Sequence, residues 1–540
     1  MGVLNIKSQQ LRSSVSPKTS IAPAIINLTP GTITYDGTEK TQGVDNIIFM
    51  LTEGTDYMLA GTTAINAGTH TITAIGTNNY KDTASIEWTI QKANSSITPS
   101  VSSLKIQEPE DIGTFTIITT GDGTISVSSS NSAVATATLN NNTITVTPIG
   151  EGTATIIVTI SESNNYNEAK ANVEVNVDFT KVFGVVWNYN SSSPVLTRLT
   201  PASDPFEFVN TIVLADPIPA IGTGRGSSQF DNYMPWKGME EYNVINNEIV
   251  YKKGDSNFSR ENDTVIYIPE FYYRIILDSV NSKLYFYISN HPFQDFEKHP
   301  GSGAYIGKYH LGSGYVCRTG MDPQVNMTRA TARTNITSNL GSKWSQWGLH
   351  HWNAIQLLYI IEFAHWNSQS KIGLGLVKNS TREKSGKTDT MTYHTGIASD
   401  SNLYEAVQYR GIENLWGNVN QWIDGVNMNS STIYCCTDPS KYYDSTTSNY
   451  INCGSVTTSS GYISSLNISS NANWVILPNG ASGTSSTYIP DYYGYYNSTW
   501  WVIFVGGGHD SDKQAGLFYT SGVYTSYTGS YITSRPVFIP

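Results

Sequence analysis

Two stretches decide the architecture of the N-terminal third. Gly68–Ile90 reads GTHTITAIGTNNYKDTASIEWTI, and Gly152–Val177 reads GTATIIVTISESNNYNEAKANVEVNV. Both run Gly-Thr, an alternating strand, an Asn-Asn-Tyr turn and a second alternating strand. Gly to Tyr spans 12 residues in the first and 14 in the second. Period-two alternation, with Thr or Ser on one face and Ile or Val on the other, is the pattern of a half-buried strand. Two copies of one β unit predict two tandem all-β sandwiches. Further strands fit at Thr114–Thr119 and Thr143–Thr147.

Outward from this repeat, residues 1–22 are polar and read as an arm or linker. The sandwiches then occupy 23–93 and 94–178, and 179–540 forms a third region. Composition agrees with many short strands and turns: Gly 45, Pro 21 and only 14% charged residues. It excludes a coiled coil, a collagen and a charged disordered chain. The net charge of −11, with no basic patch, argues against nucleic-acid binding. No run of 18 apolar residues occurs, so no membrane insertion is expected. The opening MGVLNIKSQQLRSS has no apolar run after a basic cluster, which predicts no secretory signal. Four Cys leave two readings open: free buried thiols, or one bridge from Cys435 or Cys436 to Cys453.

After Asp178 aromatic residues become dense. Ala354–Phe363 (AIQLLYIIEF) has helical spacing and apolar residues on most sides, which predicts a buried helix. His350 and His351 are expected just before it and His365 within it, as packing or solvent-facing residues and not metal ligands. A weaker helix is expected over Arg329–Leu340, closed by Gly341. Two helices among many strands predict an α+β domain. GTGRGSS at Gly222–Ser228 lacks the Lys and the following helix of a phosphate loop. No nucleophile elbow or carboxylate pair is recognisable, so the chain is read as a non-enzyme. No cofactor is expected, with calcium at His509–Asp512 (HDSD) as a minor alternative to a recognition loop.

Several segments carry resemblances. ITYDGTEKT, GTDYMLAG and AGTHTITAIGTNNY resemble an adhesin-associated Ig-like module. SVSSSNSAVATATLNNNTITVTPIGEGTATIIVT resembles the intimin-like Ig group. Such modules imply spacers or weak adhesins. Gly411–Gly425 (GIENLWGNVNQWIDG) resembles the core of the formylglycine-generating-enzyme type of C-type lectin fold, through Asn414, Trp416, Gly417, Asn418, Val419 and Trp422. Gln421 stands where that core has Glu. The enzymes hold copper on a pair of Cys near the C-terminal end. No Cys follows Cys453, so the resemblance implies the fold without that activity.

The final stretch, WWVIFVGGGHDSDKQAGLFYTSGVYTSYTGSYITSRPVFIP, resembles the variable region of proteins diversified by retroelements. Its frame is Gly506-Gly507, Ala515-Gly516-Leu517-Phe518-Tyr519, Ser534-Arg535 and a terminal apolar strand. Upstream, VFGVVWNYNSSSPVLTRLT, PWKGM, IPEFYYR, HPGSGAYIGKY and LLYIIEFAHWNSQSKIGLG resemble gut-phage tail proteins of this group. The resemblance implies a variable region over about 495–534, with substitutions limited to residues that an adenine-scrambled Asn codon can encode. Gly508, His509, Asp510, Asp512, Tyr524, Tyr527, Tyr531 and Thr533 pass that filter. Lys513 and Gln514 fail it and are taken as scaffold. Trp501 joins the expected ligand-binding face.

Between Tyr488 and Tyr531 there are nine Tyr in 44 residues, against 34 in 540 overall. Rigid amphipathic rings among Ser, Gly and Asn are the composition of a paratope. The expected function is therefore a phage tail-fibre or tail-tip receptor-binding protein on the virion, assembled in the host cytoplasm. Its partners would be a glycan or protein of the bacterial surface and other tail proteins, with a homotrimer implied by the relatives. A bacterial cell-surface adhesin is the alternative, and a lectin-fold enzyme a weaker one.

Overall fold

The computed structural model describes residues 16–47, 51–107, 111–378 and 381–540. Most of the expected N-terminal arm, 1–15, lies outside the described residues. The chain divides into two compact units, Met1–Phe179 and Thr180–Pro540. Both are mostly β, and among the described residues only two helices exceed one turn.

In the first unit, the repeated segments form hairpins. Gly68–Gly76 pairs antiparallel with Thr83–Gln91, and Gly152–Ile160 with Ala169–Val177. The second hairpin sits in a four-stranded sheet with Ser103–Ile106 and Ile125–Ser129. A second four-stranded sheet, from Ser96–Pro99, Gly113–Thr120, Thr143–Pro148 and Ala135–Asn140, faces it. Phe115, Ile117, Ile144 and Val146 meet Ile156, Val158, Val173 and Val175 in one core, so this module is a sandwich. The first module is built from smaller sheets. Ile26 and Ile47 pack from one pair onto Tyr57, Ala74 and Ala84 of the four-stranded sheet.

The second Asn-Asn-Tyr turn has a use that the repeat did not reveal. Asn165 Oδ1 accepts the Ala67 N–H at 2.9 Å, and the Tyr166 ring meets Tyr35 edge-on at 5.4 Å. Ala93–Asn94 pairs with Tyr166–Asn167 as a short parallel ladder. The segment between the modules is thus paired backbone, not a free linker.

In the second unit, helix α1 spans Arg329–Leu340 and helix α2 spans Leu349–Phe363. The Thr328 hydroxyl caps α1 by accepting the Thr331 N–H at 3.0 Å. Arg329, Ala332 and Ile336 form its buried face. Every residue of α2 is buried. The helix begins a turn earlier than its apolar run, so His350 and His351 lie inside it. His351 Nδ1 accepts the Gly348 N–H at 3.0 Å. His365 lies beyond the helix and not within it, because Ala364 turns left-handed (φ 48°) and ends the ladder.

Around α2 run a five-stranded, a six-stranded and a nine-stranded sheet. In the six-stranded sheet the C-terminal strand Pro536–Phe538 is inserted between Ala304–Gly307 and Trp344–Gln346. In the nine-stranded sheet, Trp500–Val505 pairs with Val426–Asn429, Thr520–Tyr524 and Asn420–Trp422. The two motifs singled out in the sequence, 411–425 and 500–540, thus share one sheet.

All four cysteines are free and buried. No helix of the described residues is long and apolar enough to cross a membrane.

Burial has an electrostatic consequence. It pushes His299 and His351 down to about 3, and holds His350 and His310 well below their ordinary value. These imidazoles stay neutral in the fold, whereas the unfolded chain takes up protons below about 6.5. Their contribution is complete above that value. It is lost as pH falls from about 6.5 toward 3, at up to about 1.4 kcal/mol per unit and histidine. Asp491 and Glu413, held above their ordinary values by burial, act in the opposite sense but are fewer. The melting temperature should therefore fall steadily between pH 6.5 and 4, as calorimetry would read it. A flat profile would mean that these histidines are accessible to water.

Candidate functional site

The frame is built first. Trp416 and Trp422 are both fully buried, and each indole N–H finds a carbonyl: Gly373 O at 3.0 Å and Met327 O at 3.0 Å. Between them the chain is irregular. Asn414 and Asn418 adopt left-handed backbone (φ 48° and 64°), and their side chains hydrogen-bond neighbouring loops. Asn418 Oδ1 accepts the Glu383 N–H at 2.8 Å while its Nδ2 donates to Glu383 O at 2.9 Å. A side chain on Gly417 would run into the Leu376 backbone.

This segment is fastened to α1 by charge. Arg333 donates to both oxygens of buried Asp424, at 2.6 and 3.1 Å. Arg329 reaches Val426 O at 2.5 Å and Asp444 at 2.6 Å. This network left no local trace along the chain, because its partners lie about 90 or more positions apart.

The frame of the C-terminal stretch is equally buried. Arg535 has no exposed surface. Its guanidinium donates to Gln421 Oε1 (2.9 Å), Gly307 O (2.8 Å), Lys308 O (2.8 Å), Glu413 O (2.7 Å) and Asn414 O (3.3 Å), and it stacks over Trp347. Burial pulls its pKa down to about 10, so it remains charged at neutral pH. Ala515, Gly516, Leu517 and Phe518 are buried against α2, where Gln356 Nε2 donates to Leu517 O at 2.8 Å. Asp491 accepts the Phe518 N–H at 2.7 Å, and a Cβ on Gly516 would collide with that carboxylate at 2.2 Å. Gly506 is left-handed (φ 88°), and a Cβ there would lie 2.4 Å from Leu415 O, so the turn from sheet to loop requires glycine. Gly507 continues it at φ 80°.

The expected ligand-binding face divides in two. Tyr524 is 45% exposed. Tyr527 and Tyr531 are half-buried, with their outer edges open and their inner edges on the apolar cluster beneath. The Tyr527 and Tyr531 hydroxyls hydrogen-bond each other, and burial together with this contact raises the Tyr531 phenol. Ring centroids run from Tyr496 to Tyr524 (6.1 Å), to Tyr527 (5.4 Å) and to Tyr531 (6.0 Å), a continuous aromatic rail. Asp510 is exposed and His509 partly so. Asp512 is partly exposed, with Lys378 at 3.8 Å from its carboxylate. Among the described residues no group of His, Cys, Asp or Glu is placed to share a metal.

Three residues expected on this face are not on it. Trp501 is fully buried and its indole donates to Ser430 O at 2.7 Å. Its strand runs between two others and is buried on both faces, with Trp501, Ile503 and Val505 on one core and Val502 and Phe504 on another, and only Trp500 at its end is half-buried. Thr533 is buried because it pairs with Gln421, and its hydroxyl donates to Leu311 O at 3.1 Å. Gly508 is buried beneath the loop, its N–H bonded to Ser511 Oγ at 2.9 Å. Conversely, Lys513 and Gln514, taken as scaffold, are exposed in a short turn. Tyr462 also joins this region and meets Tyr492 edge-on at 5.9 Å. It lies outside the Tyr-dense window, and only strand pairing brings it there.

No family model and no curated protein matches the chain. Among solved structures it is similar to domains 4 and 5 of the S-layer protein SbsC, at 20% identity over 28% of this chain and 98% of that one, with a TM-score of 0.16. The N-terminal four Ig domains of Dscam1 match at 11% identity over 31% of this chain and 44% of that one, TM-score 0.15. A SusE-like surface-located polysaccharide-binding protein of Bacteroides thetaiotaomicron matches at 14% identity over 47% of this chain and 43% of that one, TM-score 0.13. Similarity at this level supports no statement about activity.

The division between rail and frame is measurable. Tyr524→Ala should change stability by no more than about 0.5 kcal/mol. Trp501→Ala should cost about 3–5 kcal/mol through a cavity and an unpaired carbonyl. Urea unfolding of the two variants reads the difference, and equal losses would place Tyr524 in the core.

Proposed function

We propose that the chain is a receptor-binding protein of a phage tail, belonging to the retroelement-diversified group. In this reading, residues 179–540 are a C-type lectin-like α+β domain, and the two N-terminal modules are Ig-like spacers. The protein binds and does not catalyse. Its partners are a glycan or protein of a bacterial surface, other tail proteins and two further copies of itself. One observation carries the reading: a train of four Tyr rings, one exposed and three half-buried with open outer edges, mounted on a frame whose own residues are buried and hydrogen-bonded.

Such rings present flat apolar faces with a hydroxyl at the edge, which suits sugar C–H faces and peptide side chains alike. Little order is lost on contact, because each ring is already held by its neighbour. Asp510 and His509 lie on the same C-terminal segment and supply polar contacts. Substitutions at Tyr524 or Asp510 would leave the frame contacts intact, which is what a diversified surface needs. Weak single sites gain from several copies on one particle.

The test is adhesion of the fluorescent full-length protein to a panel of bacterial strains. A binding strain should be found, and Tyr524→Ala should reduce adhesion at least about tenfold at an unchanged melting temperature. Undiminished adhesion by Tyr524→Ala combined with Tyr496→Ala would refute the aromatic rail as the contact surface.

A further inference from the structure

A second site lies on the frame itself, and none of its residues belongs to the aromatic rail. A cleft of about 200 Å³ opens between the six-stranded sheet and the loops carrying Thr388–His394 and Gln408–Gly411. Lys253, Arg260 and Lys308 converge on its wall around Glu241, which is 5% exposed, with Asp389 at 3.4 Å from Arg260 and Glu240 at the rim paired to Lys252 at 2.6 Å. Both oxygens of Glu241 are already engaged by Arg260, at 2.6 and 3.0 Å. The remaining cations stand off. Lys253 Nζ is 3.7 Å from Glu241, and Lys308 Nζ is 3.8 Å from Glu241 and 3.9 Å from Asp389.

Lys308 is the informative residue. It is 1% exposed, and its single hydrogen bond among the described residues goes to Gly411 O at 3.0 Å. An ammonium carries three donors, and the other two meet no oxygen of the described residues at hydrogen-bonding distance: Glu241 and Asp389 stand 3.8 and 3.9 Å away and the Tyr309 ring centroid 5.5 Å. Buried donors of a charged group are seldom left so. Nearby charges do not supply the missing oxygens. Asp389 accepts from the Tyr309 hydroxyl at 2.6 Å, and Glu413 accepts from Thr388 and Gly386. Arg410 is taken by Glu362 and Asp231. Burial, aided by Arg260 and Lys308, also lowers the Lys253 pKa against the pull of Glu241.

The rest of the cleft is not suited to a bare ion. Gln408 donates through Nε2 to Tyr393 O at 2.7 Å, which leaves its Oε1 as an acceptor for a hydroxyl. Met239 and Met391 contribute an apolar wall. Cations on one side, a hydroxyl acceptor and an apolar face together describe a hydroxylated ring bearing one carboxylate.

We propose that this cleft binds a hexuronate-type acidic sugar, its carboxylate on Lys253 and Lys308, a hydroxyl on Gln408 Oε1 and its C–H face on the methionines. The site is independent of the rail and would be common to every diversified version of the protein.

The experiment is titration calorimetry of the full chain with glucuronate, glucose and inorganic sulfate at low ionic strength. Glucuronate should bind saturably at one site per chain and glucose at least about tenfold more weakly. Lys253 is half-exposed (49%), so its substitution should not disturb folding. Lys253→Gln should weaken glucuronate about tenfold and Lys253→Arg should restore most of the loss, both at an unchanged melting temperature. Absence of saturable glucuronate binding, equal affinity for glucose, or indifference to Lys253→Gln would each overturn the proposal. Binding of sulfate without glucuronate would reduce the cleft to an inorganic-oxyanion site and overturn it as well.

Discussion

The second unit depends on one buried cation. The Arg535 guanidinium has no surface, and among the described residues no carboxylate pairs with it. Its hydrogen bonds go instead to carbonyl oxygens from two separate segments and to the Gln421 amide. Taking a charge out of water costs several kcal/mol, and charge-assisted hydrogen bonds of about 1.5–3 kcal/mol each offset it only if the acceptors are held in place. The arrangement is therefore all-or-none. It joins the terminal strand, the strand ending at Gly307 and the Trp416 segment, and it orients the loops between them. Gln421 fits this role as a neutral residue. Its Oε1 faces the guanidinium while its Nε2 donates to Leu415 O at 3.1 Å, which a carboxylate could not do.

From that anchor follows the separation of frame and surface. Asp491, Gly506, Gly516 and Arg535 satisfy backbone groups that an irregular loop would otherwise leave bare. Because those needs are met from below, the outer residues carry no structural duty. Tyr524 presents its ring at the surface with aromatic contacts, among the described residues, only to Tyr496 and Tyr527, and Asp510 presents its carboxylate. The half-buried Tyr527 and Tyr531 mark the boundary. Their inner edges belong to the core and their outer edges to the surface.

The first unit solves a different problem. Two small β modules in tandem gain little from their separate cores, since small domains bury a modest fraction of their surface. The Asn165 and Tyr166 contacts with Ala67 and Tyr35 place polar and aromatic contacts between the modules and stiffen the joint. In the first copy of the repeat the corresponding Tyr80 pairs with Thr19, so the same motif docks the preceding strand.

Much of this was legible along the chain. Period-two alternation located the repeated hairpins, because a strand with one wet and one dry face records its environment in every second residue. Helix α1 was readable from its helical spacing and from the glycine that closes it at Gly341. Which tyrosines are open was only partly readable. Trp501 and Thr533 share the composition of the surface and lie among its residues, yet strand pairing turns them inward. The cleft around Lys308 left no local trace, since Glu241, Lys308 and Gly411 are distant in sequence and meet only through the sheet and its loops. Sequence alone set the strands, the turns and the chemical palette, because these follow from neighbouring residues. The tertiary structure decided which aromatic rings face water and which cations lack an oxygen, because both depend on what a distant segment brings within a few ångströms.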